Sequence, residues 1–419
     1  MRVLISGAGI AGPTLAFFLR RIGAHVTIVE KSPSLLPHGQ NVDIQGSAIS
    51  AIKKMGLIDQ VRRLNTGEKG THIIGQNGQP FASFPVMEGC SASPSSEFEI
   101  LRGDLAAVLY DATKDQPNTD YLFDATIREV ISNADDSVGV ALSNGETRDF
   151  DLLVAADGQW SKVRKQCFPS ESISVVETGM YAVYWTIPRL PSDNDWWNVY
   201  VALKSRVVTV RPDPHGTMRA MFTCMPSSPA QKRAWLEASK GGRQMQEDLL
   251  KREFSDAGWQ TKRLLASMDQ VADFYFQHVQ QIKMTRWSRS RVICLGDAAY
   301  APTPLTGMGT SLAIIGAYVL AGELSRLDHG AHPSRALEAY ERTFRPFVER
   351  IQDIPFFIPG VMHPQASWKR KILQTCIWSI SKLVSFEWLM DRLPSPEDHD
   401  EGFSLPYYPA LESQLERCQ

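Results

Sequence analysis

The hexapeptide Gly7-Ala8-Gly9-Ile10-Ala11-Gly12 stands between an apolar strand, Val3-Leu4-Ile5, and a run with helical spacing, Leu15, Phe18, Leu19 and Ile22. Glycines at that spacing can hold a pyrophosphate. Gly7 permits a tight turn, Gly9 lets backbone amides approach the phosphates, and Gly12 lets the helix close on the strand, with Ala11 just before it. The helix N-terminus adds unpaired N–H groups and a partial positive charge. Glu30 and Lys31 follow the second apolar strand, His25 to Val29. Glu30 is placed to accept hydrogen bonds from a ribose 2′-hydroxyl and would repel a 2′-phosphate. The chemistry these residues imply is the holding of an adenine dinucleotide other than NADP.

Two further elements lie downstream. Asp151-Leu152-Leu153-Val154-Ala155-Ala156 runs into Asp157-Gly158, followed by Ser161 and Arg164. Alone, it reads as a strand ending in a common turn dipeptide. The third element is Cys294-Leu295-Gly296-Asp297-Ala298-Ala299-Tyr300, then Pro302, Pro304, Gly307, Met308, Gly309 and Thr310. Asp297 at a strand end can hydrogen-bond a ribityl hydroxyl, and the Gly307-Met308-Gly309 backbone can approach a flat ring closely. Nucleotide elements at both ends of the chain suggest one site around a long cofactor, FAD rather than NAD.

The elements that must position these residues come in alternating blocks. The expected fold is α/β, with a Rossmann-like FAD-binding lobe interleaved with a mostly antiparallel β-sheet substrate lobe, plus a C-terminal helix. The FAD-binding lobe is expected over 1–70, 98–172 and 286–360. The substrate lobe takes 71–97 and 173–285, and 361–419 forms a C-terminal helical bridge and tail. Helices are expected at Ser47 to Lys54, Arg102 to Thr113, Ala230 to Phe254 and Thr310 to Leu327, with a hairpin at Gln76-Asn77-Gly78. Strands are expected at Val199 to Leu203, Arg206 to Val210 and Met218 to Cys224. In the tail, Leu373, Ile377, Ile380, Val384 and Trp388 share one helix face, which either packs on the cofactor lobe or bridges the lobes.

At 419 residues the chain exceeds the size at which one core stops growing. A net charge of −2 offers no field for nucleic acid and no polybasic anchor. Six scattered cysteines without a Cys-x-x-Cys pair argue against a metal site and for a reducing, cytoplasmic setting. Met1 leads straight into the first strand without room for a leader, and Ile372 to Met390 is too polar for a membrane span. A monomer or weak dimer is expected.

In order and spacing, the three elements resemble the single-component FAD-dependent aromatic hydroxylases over essentially the whole chain. Within that family, Glu99 to Leu105, Asp273-Phe274-Tyr275-Phe276, Gln281-Ile282-Lys283-Met284 and Gly296 to Leu324 resemble the tetracycline-inactivating flavin monooxygenases. The resemblance makes Asp43 and Arg102 FAD contacts and Asp297 the acid on the ribityl chain. It also implies tightly bound, non-covalent FAD and NAD(P)H as a transient reductant. A C4a-hydroperoxyflavin formed with O2 would then deliver one oxygen atom to a fused-ring phenolic, enol or polyketide-type molecule, a tetracycline being one case. The chain departs from the family at Met308 and Thr310, where a glutamine and an asparagine are common, and at Gln45, often basic in the antibiotic-inactivating branch. No acid or base is assigned; His72, His215 and His278 qualify by residue type alone. The rivals are a flavin-dependent halogenase, suggested by Val183-Tyr184-Trp185-Thr186-Ile187-Pro188, and an FAD-binding protein without turnover.

Overall fold

The computed structural model describes residues 1–36, 39–86, 98–355, 357–384 and 402–412. The far end of the expected tail-helix face, Trp388 included, lies outside them, as do Cys90 and Cys418.

The chain opens β1 (Arg2–Ser6), α1 (Ala11–Arg21), β2 (His25–Val29), β3 (Asn41–Asp43), α2 (Ser47–Met55) and α3 (Ile58–Arg63). A hairpin of β4 (Gly70–Ile74) and β5 (Pro80–Pro85) precedes β6 (Glu99–Leu101) and α4 (Arg102–Asp111). Then come β7 (Thr119–Leu122), β8 (Ile127–Asn133), β9 (Val138–Leu142), β10 (Thr147–Phe150), β11 (Leu152–Ala155) and α5 (Lys162–Cys167). The middle of the chain holds β12 (Ile173–Pro188), β13 (Trp197–Ala202), β14 (Arg206–Pro212), β15 (Thr217–Cys224), α6 (Pro229–Lys240), α7 (Arg243–Phe254) and α8 (Thr261–Ala266). It closes with β16 (Tyr275–Met284), β17 (Ser288–Arg289), β18 (Val292–Cys294), α9 (Asp297–Tyr300), α10 (Gly309–Leu324), α11 (Ser334–Gln352), α12 (Ile358–Met362) and α13 (Ser367–Val384).

Two sheets dominate. One runs β17-β18-β11-β1-β2-β7, parallel except for the short β17 edge. Its strands are near-continuous apolar runs because both faces are covered. Helix α10, buried almost throughout, is packed between α1, α2 and α11, which explains why its apolar residues show no single face. The second sheet, β16-β12-β15-β14-β13-β4-β5, is mostly antiparallel. One face carries Val183, Trp185, Val208, Phe222 and their neighbours against α6, α7 and α8. This is the α/β architecture expected, with the chain passing between the sheets.

Details differ from the sequence reading. The helix expected over Ala230 to Phe254 is two helices, broken at Gly241-Gly242, which carry no side chain to sustain helical packing. The first starts on a capping box between Ser228 and Gln231. A three-stranded sheet, β10-β9-β8, leaves no signal in the sequence, because β8 is mostly exposed and lacks a clear alternation of polar and apolar residues. Helix α13 packs on β5 of the second sheet rather than on the cofactor lobe, with Ile377 against the cluster around Ile73 and Val199. Residues 402–412 return to the first lobe. There the Tyr408 hydroxyl donates to Glu323 at 2.7 Å, and its ring lies where a side chain on Gly322 would stand.

Candidate active site

Sheet register brings the three sequence elements together. Ser6 pairs with Ala155, and Ala155 with Cys294, so adjacent parallel strands β1, β11 and β18 end level with one another. Gly7, Asp157 and Gly296 therefore sit side by side at the carboxyl end of the sheet, beside the point where chain order reverses across β1.

Contacts seal the arrangement. Gly7 has φ +112°, and a Cβ there would stand 2.5 Å from the Ala156 carbonyl oxygen. A Cβ on Gly12 would stand 2.1 Å from the Gly7 carbonyl oxygen, so this glycine lets α1 close on its own loop. One on Gly296 would come 3.2 Å from the Ala11 Cβ, joining the late element to the start of α1. Gly9 differs: the nearest atom to a Cβ there is Arg102 Nη2, at 3.9 Å. The loop is thus packed at Gly7 and Gly12 and open at Gly9, as a phosphate cradle requires. Glu30 accepts from the Ala8 and Ser32 amides at 3.0 Å each, which fixes its carboxylate beside the loop. Lys31 is exposed next to it.

Arg164 links the second element to the third. It is buried, and it donates to the carbonyls of Gln159 and Ala298, both at 2.7 Å. Asp157 accepts from the Lys162 amide through one oxygen, while its buried Oδ1 has no hydrogen-bond partner. Burial raises the Asp297 carboxyl above the usual range, with the Arg102 charge opposing. Gly309 lies against it, a Cβ there falling 3.9 Å from Asp297 Oδ1. Asp43 ends a strand paired with β6, whose last residue precedes Arg102. Its carbonyl and the Gln45 amide both bond Ser311 in the first turn of α10. Gln45 Nε2 stands 3.6 Å from where a Cβ of Gly307 would be, so this departure from the family pattern faces the late loop. Met308 and Thr310 are partly buried, whereas Pro304 is exposed.

The second sheet turns its other face toward this site. A cross-strand row runs Tyr275, Tyr184, Met221, Thr209, Val199 and Ile73. Burial raises the Tyr184 phenol, and desolvation raises that of Tyr275, whose side chain is partly exposed; Arg102 lowers the Tyr275 phenol while Asp297 raises it, which orients the row toward the Asp297 region. The late loop is stitched to this sheet: the Gln281 side chain donates to Pro302 and Gln352, and the Ile282 amide donates to Ala301.

Sequence reasoning missed several residues here. Arg211, on the site-facing side of β14, donates to Glu68 at 2.9 Å and to Glu99, and stacks over Trp197. Glu99 also accepts from Asn41 and Thr66. A lone arginine in a strand gives no signal when its partner is 112 positions away. Thr303 adopts φ +90° and ψ 150°, a region costly for a non-glycine residue, with its buried hydroxyl unpartnered. The nominated histidines sit elsewhere. His72 and His278 lie on the helix-covered side of the sheet by strand alternation, stacked on Trp196 and Tyr181. His215 bonds Asp104 at the β14–β15 turn. Among the described residues no cluster suits a metal ion.

Comparison with known proteins agrees with this geometry. Residues 1–354 match the family model described as an FAD binding domain. The chain is 37% identical to the monooxygenase CTB7 of Cercospora beticola, covering 89% of this chain and 90% of that protein. It is 33% identical to the FAD-dependent monooxygenase asL6 of Sarocladium schorii, covering 98% and 99%. The chain belongs to the FAD-dependent monooxygenases. The crystal structure of tetracycline destructase Tet(55) superposes with a TM-score of 0.76 at 28% identity, over 97% of this chain and 98% of that one. The fold is shared with Klebsiella pneumoniae HpxO complexed with FAD and uric acid, at a TM-score of 0.70 and 19% identity. As in other members of the family, FAD is the cofactor. Three features of this site suit it: the cradle open at Gly9, the orphaned Asp157 oxygen, and the half-buried Asp297 beside Gly309. No described helix is long and apolar enough to cross a membrane.

Proposed function

We propose that the protein uses NAD(P)H and O2 to insert one oxygen atom into a fused-ring phenolic, enol or polyketide-type molecule, with tetracyclines as a testable case. The observation that carries the reading is the apposition of the late loop and the second sheet. Gly307 to Thr310 on one side and the Tyr275–Tyr184–Met221 row on the other suit a flat cofactor ring facing an aromatic substrate. Similarity to Tet(55), a tetracycline destructase, supports the substrate class.

In this reading the residues divide by position. Gly7, Gly9, Ala11 and Gly12 present the start of α1 to the pyrophosphate, and Glu30 with Lys31 flanks the adenosine ribose. Asp43, Arg102 and Asp157 border the middle of the cofactor, and Asp297 takes the ribityl chain. Pro304, Gly307, Met308, Gly309 and Thr310 lie along the ring. The flavin, once reduced, supplies the activation of O2. The chain's own work is to orient the substrate and exclude water, which the stitched loop and the aromatic row favour. The test is incubation with NADPH and a tetracycline. Loss of drug absorbance and a product heavier by one oxygen atom are expected; NADPH consumed equally with and without every phenolic or polyketide tried would overturn the reading.

A further inference from the structure

Helix α13 buries one side and leaves an apolar stripe on the other. Inward, Ile377 packs against the cluster holding Ile73, Val199 and Val207, and Arg370 and Ser381 are buried. Outward, Trp368, Ile372, Ile380 and Leu383 are each at least half exposed, at 62%, 56%, 51% and 52%. Their spacing of four to eight residues, with three at the end, keeps them on one face together with exposed Cys376. This helix contains no aspartate or glutamate over its 18 residues; Lys369 stands within the stripe and Lys371 and Lys382 at its edge, all three exposed. An apolar face that carries tryptophan, with small hydroxyls at Thr375 and Ser379 and cations as its only charges, is the pattern of a helix lying in a membrane interface.

We propose that α13 is a docking face for an anionic phospholipid surface, which the protein touches without crossing. Charge complementarity selects this occupant. The chain as a whole carries a formal charge of −2 and would be weakly repelled by such a surface, so attraction must come from the local lysines. Apolar side chains between them would then enter the headgroup boundary. Because the inner side of α13 rests on β5 of the second sheet, docking would bring that lobe to a membrane, where apolar ring compounds collect.

Two other occupants compete: a second copy of the chain, and the acidic stretch 385–401 that follows the helix in sequence. The experiment is co-sedimentation of the full-length, FAD-loaded protein with vesicles of phosphatidylcholine alone or mixed with phosphatidylserine. Binding to the mixed vesicles, lost at high salt and weak on the neutral ones, is expected. Replacing Lys369, Lys371 and Lys382 together with glutamine should weaken it by about a hundredfold, since each basic residue at an anionic surface contributes roughly fivefold. Ile372→Ser with Leu383→Ser should abolish binding while leaving the melting temperature and bound flavin unchanged, since both side chains are exposed. Failure of the wild-type protein to sediment with either vesicle overturns the proposal. So does a dimer in sedimentation velocity that the serine variants dissolve, which assigns the face to self-association. Binding that appears only after Glu387→Gln and Asp391→Asn assigns it to the following segment and equally overturns the proposal.

Discussion

Asp297 is a carboxylate in a place that disfavours charge, and that cost is informative. Burial raises its pKa, and Arg102 only partly offsets the effect. A group so placed is explained if ligand hydroxyls donate to it. Asp297→Ala should therefore weaken FAD binding by about 1.5–3 kcal/mol, roughly ten- to a hundredfold in Kd, the range for hydrogen bonds to a charged group. Fluorescence titration of flavin into apoprotein measures this, and an unchanged Kd would remove Asp297 from the cofactor site. The glycines give a sharper contrast at the same scale. A methyl on Gly12 meets the Gly7 carbonyl oxygen at 2.1 Å, whereas one on Gly9 has nothing nearer than 3.9 Å. Gly12→Ala should lower stability by about 1–3 kcal/mol through overpacking. Gly9→Ala should leave the apoprotein's stability in denaturant within about 0.5 kcal/mol, as for a surface change, yet lose FAD affinity. Equal losses of stability in the two variants would contradict the assignment of Gly9 as the open face of the loop.

At the scale of elements, the strand–loop–helix units carrying glycines were legible because one stretch of chain makes each of them. The apolar run of β1, the helical spacing of α1 and the acid after β2 all lie within 30 residues. Elements joined by distant contacts left no such trace. The apolar face read for helix α13 is divided in the fold, Ile377 packing inward and Ile380 half exposed, and its seat on β5 emerges only there. His363 is the clearest case: it lies between α12 and α13, a single histidine with no motif around it. In the structure it is buried, its Nδ1 hydrogen-bonded to the Pro359 carbonyl at 2.7 Å and its Nε2 to the Thr223 hydroxyl at 2.8 Å. Burial lowers its pKa from 6.5, favouring the neutral ring. The unfolded chain takes up this proton near pH 6.5, and the folded protein does so only at lower pH. Between those values the unfolded state binds more protons, so stability is full above that window and falls as pH drops through it, by up to about 1.4 kcal/mol per unit. Replacing His363 with glutamine should flatten that part of the curve. Melting temperatures from about pH 8 down to about pH 5 test this, and the difference from wild type isolates His363 from the other buried histidines. Parallel curves for the two proteins would show that the ring is not protected in the fold.

Over the whole molecule, the two sheets are held together by a joint that also frames the site. The β14–β15 hairpin of the second sheet reaches the β6–α4 unit at two points: Arg211 meets Glu99, and His215 meets Asp104 at 2.9 Å. Arg102, nearest neighbour of the open Gly9, stands between those two acids in sequence. Glu68 and Glu99 each have side chains only 1% exposed, so Arg211 neutralises two carboxylates that have almost no access to water. A buried pair of this kind adds little compared with apolar packing, but removing one partner is expensive because the charge left behind has no solvent. Arg211→Met should accordingly cost about 3–5 kcal/mol in denaturant unfolding. Neutralising Glu99 in the same chain, with Glu99→Gln, should recover part of that loss, because the carboxylate that faced Arg211 then carries no charge. If the joint also keeps water from the reacting ring, Arg211→Met should divert reducing equivalents from product to hydrogen peroxide, and the neutralised variant should restore part of the coupling. Peroxide released per NADPH consumed is the measurement. A single variant as stable as wild type would show that the Arg211 bridge does not hold the lobes together. A destabilised variant with unchanged coupling would separate the two roles, leaving the joint structural and placing the barrier to water on the late loop and the aromatic row.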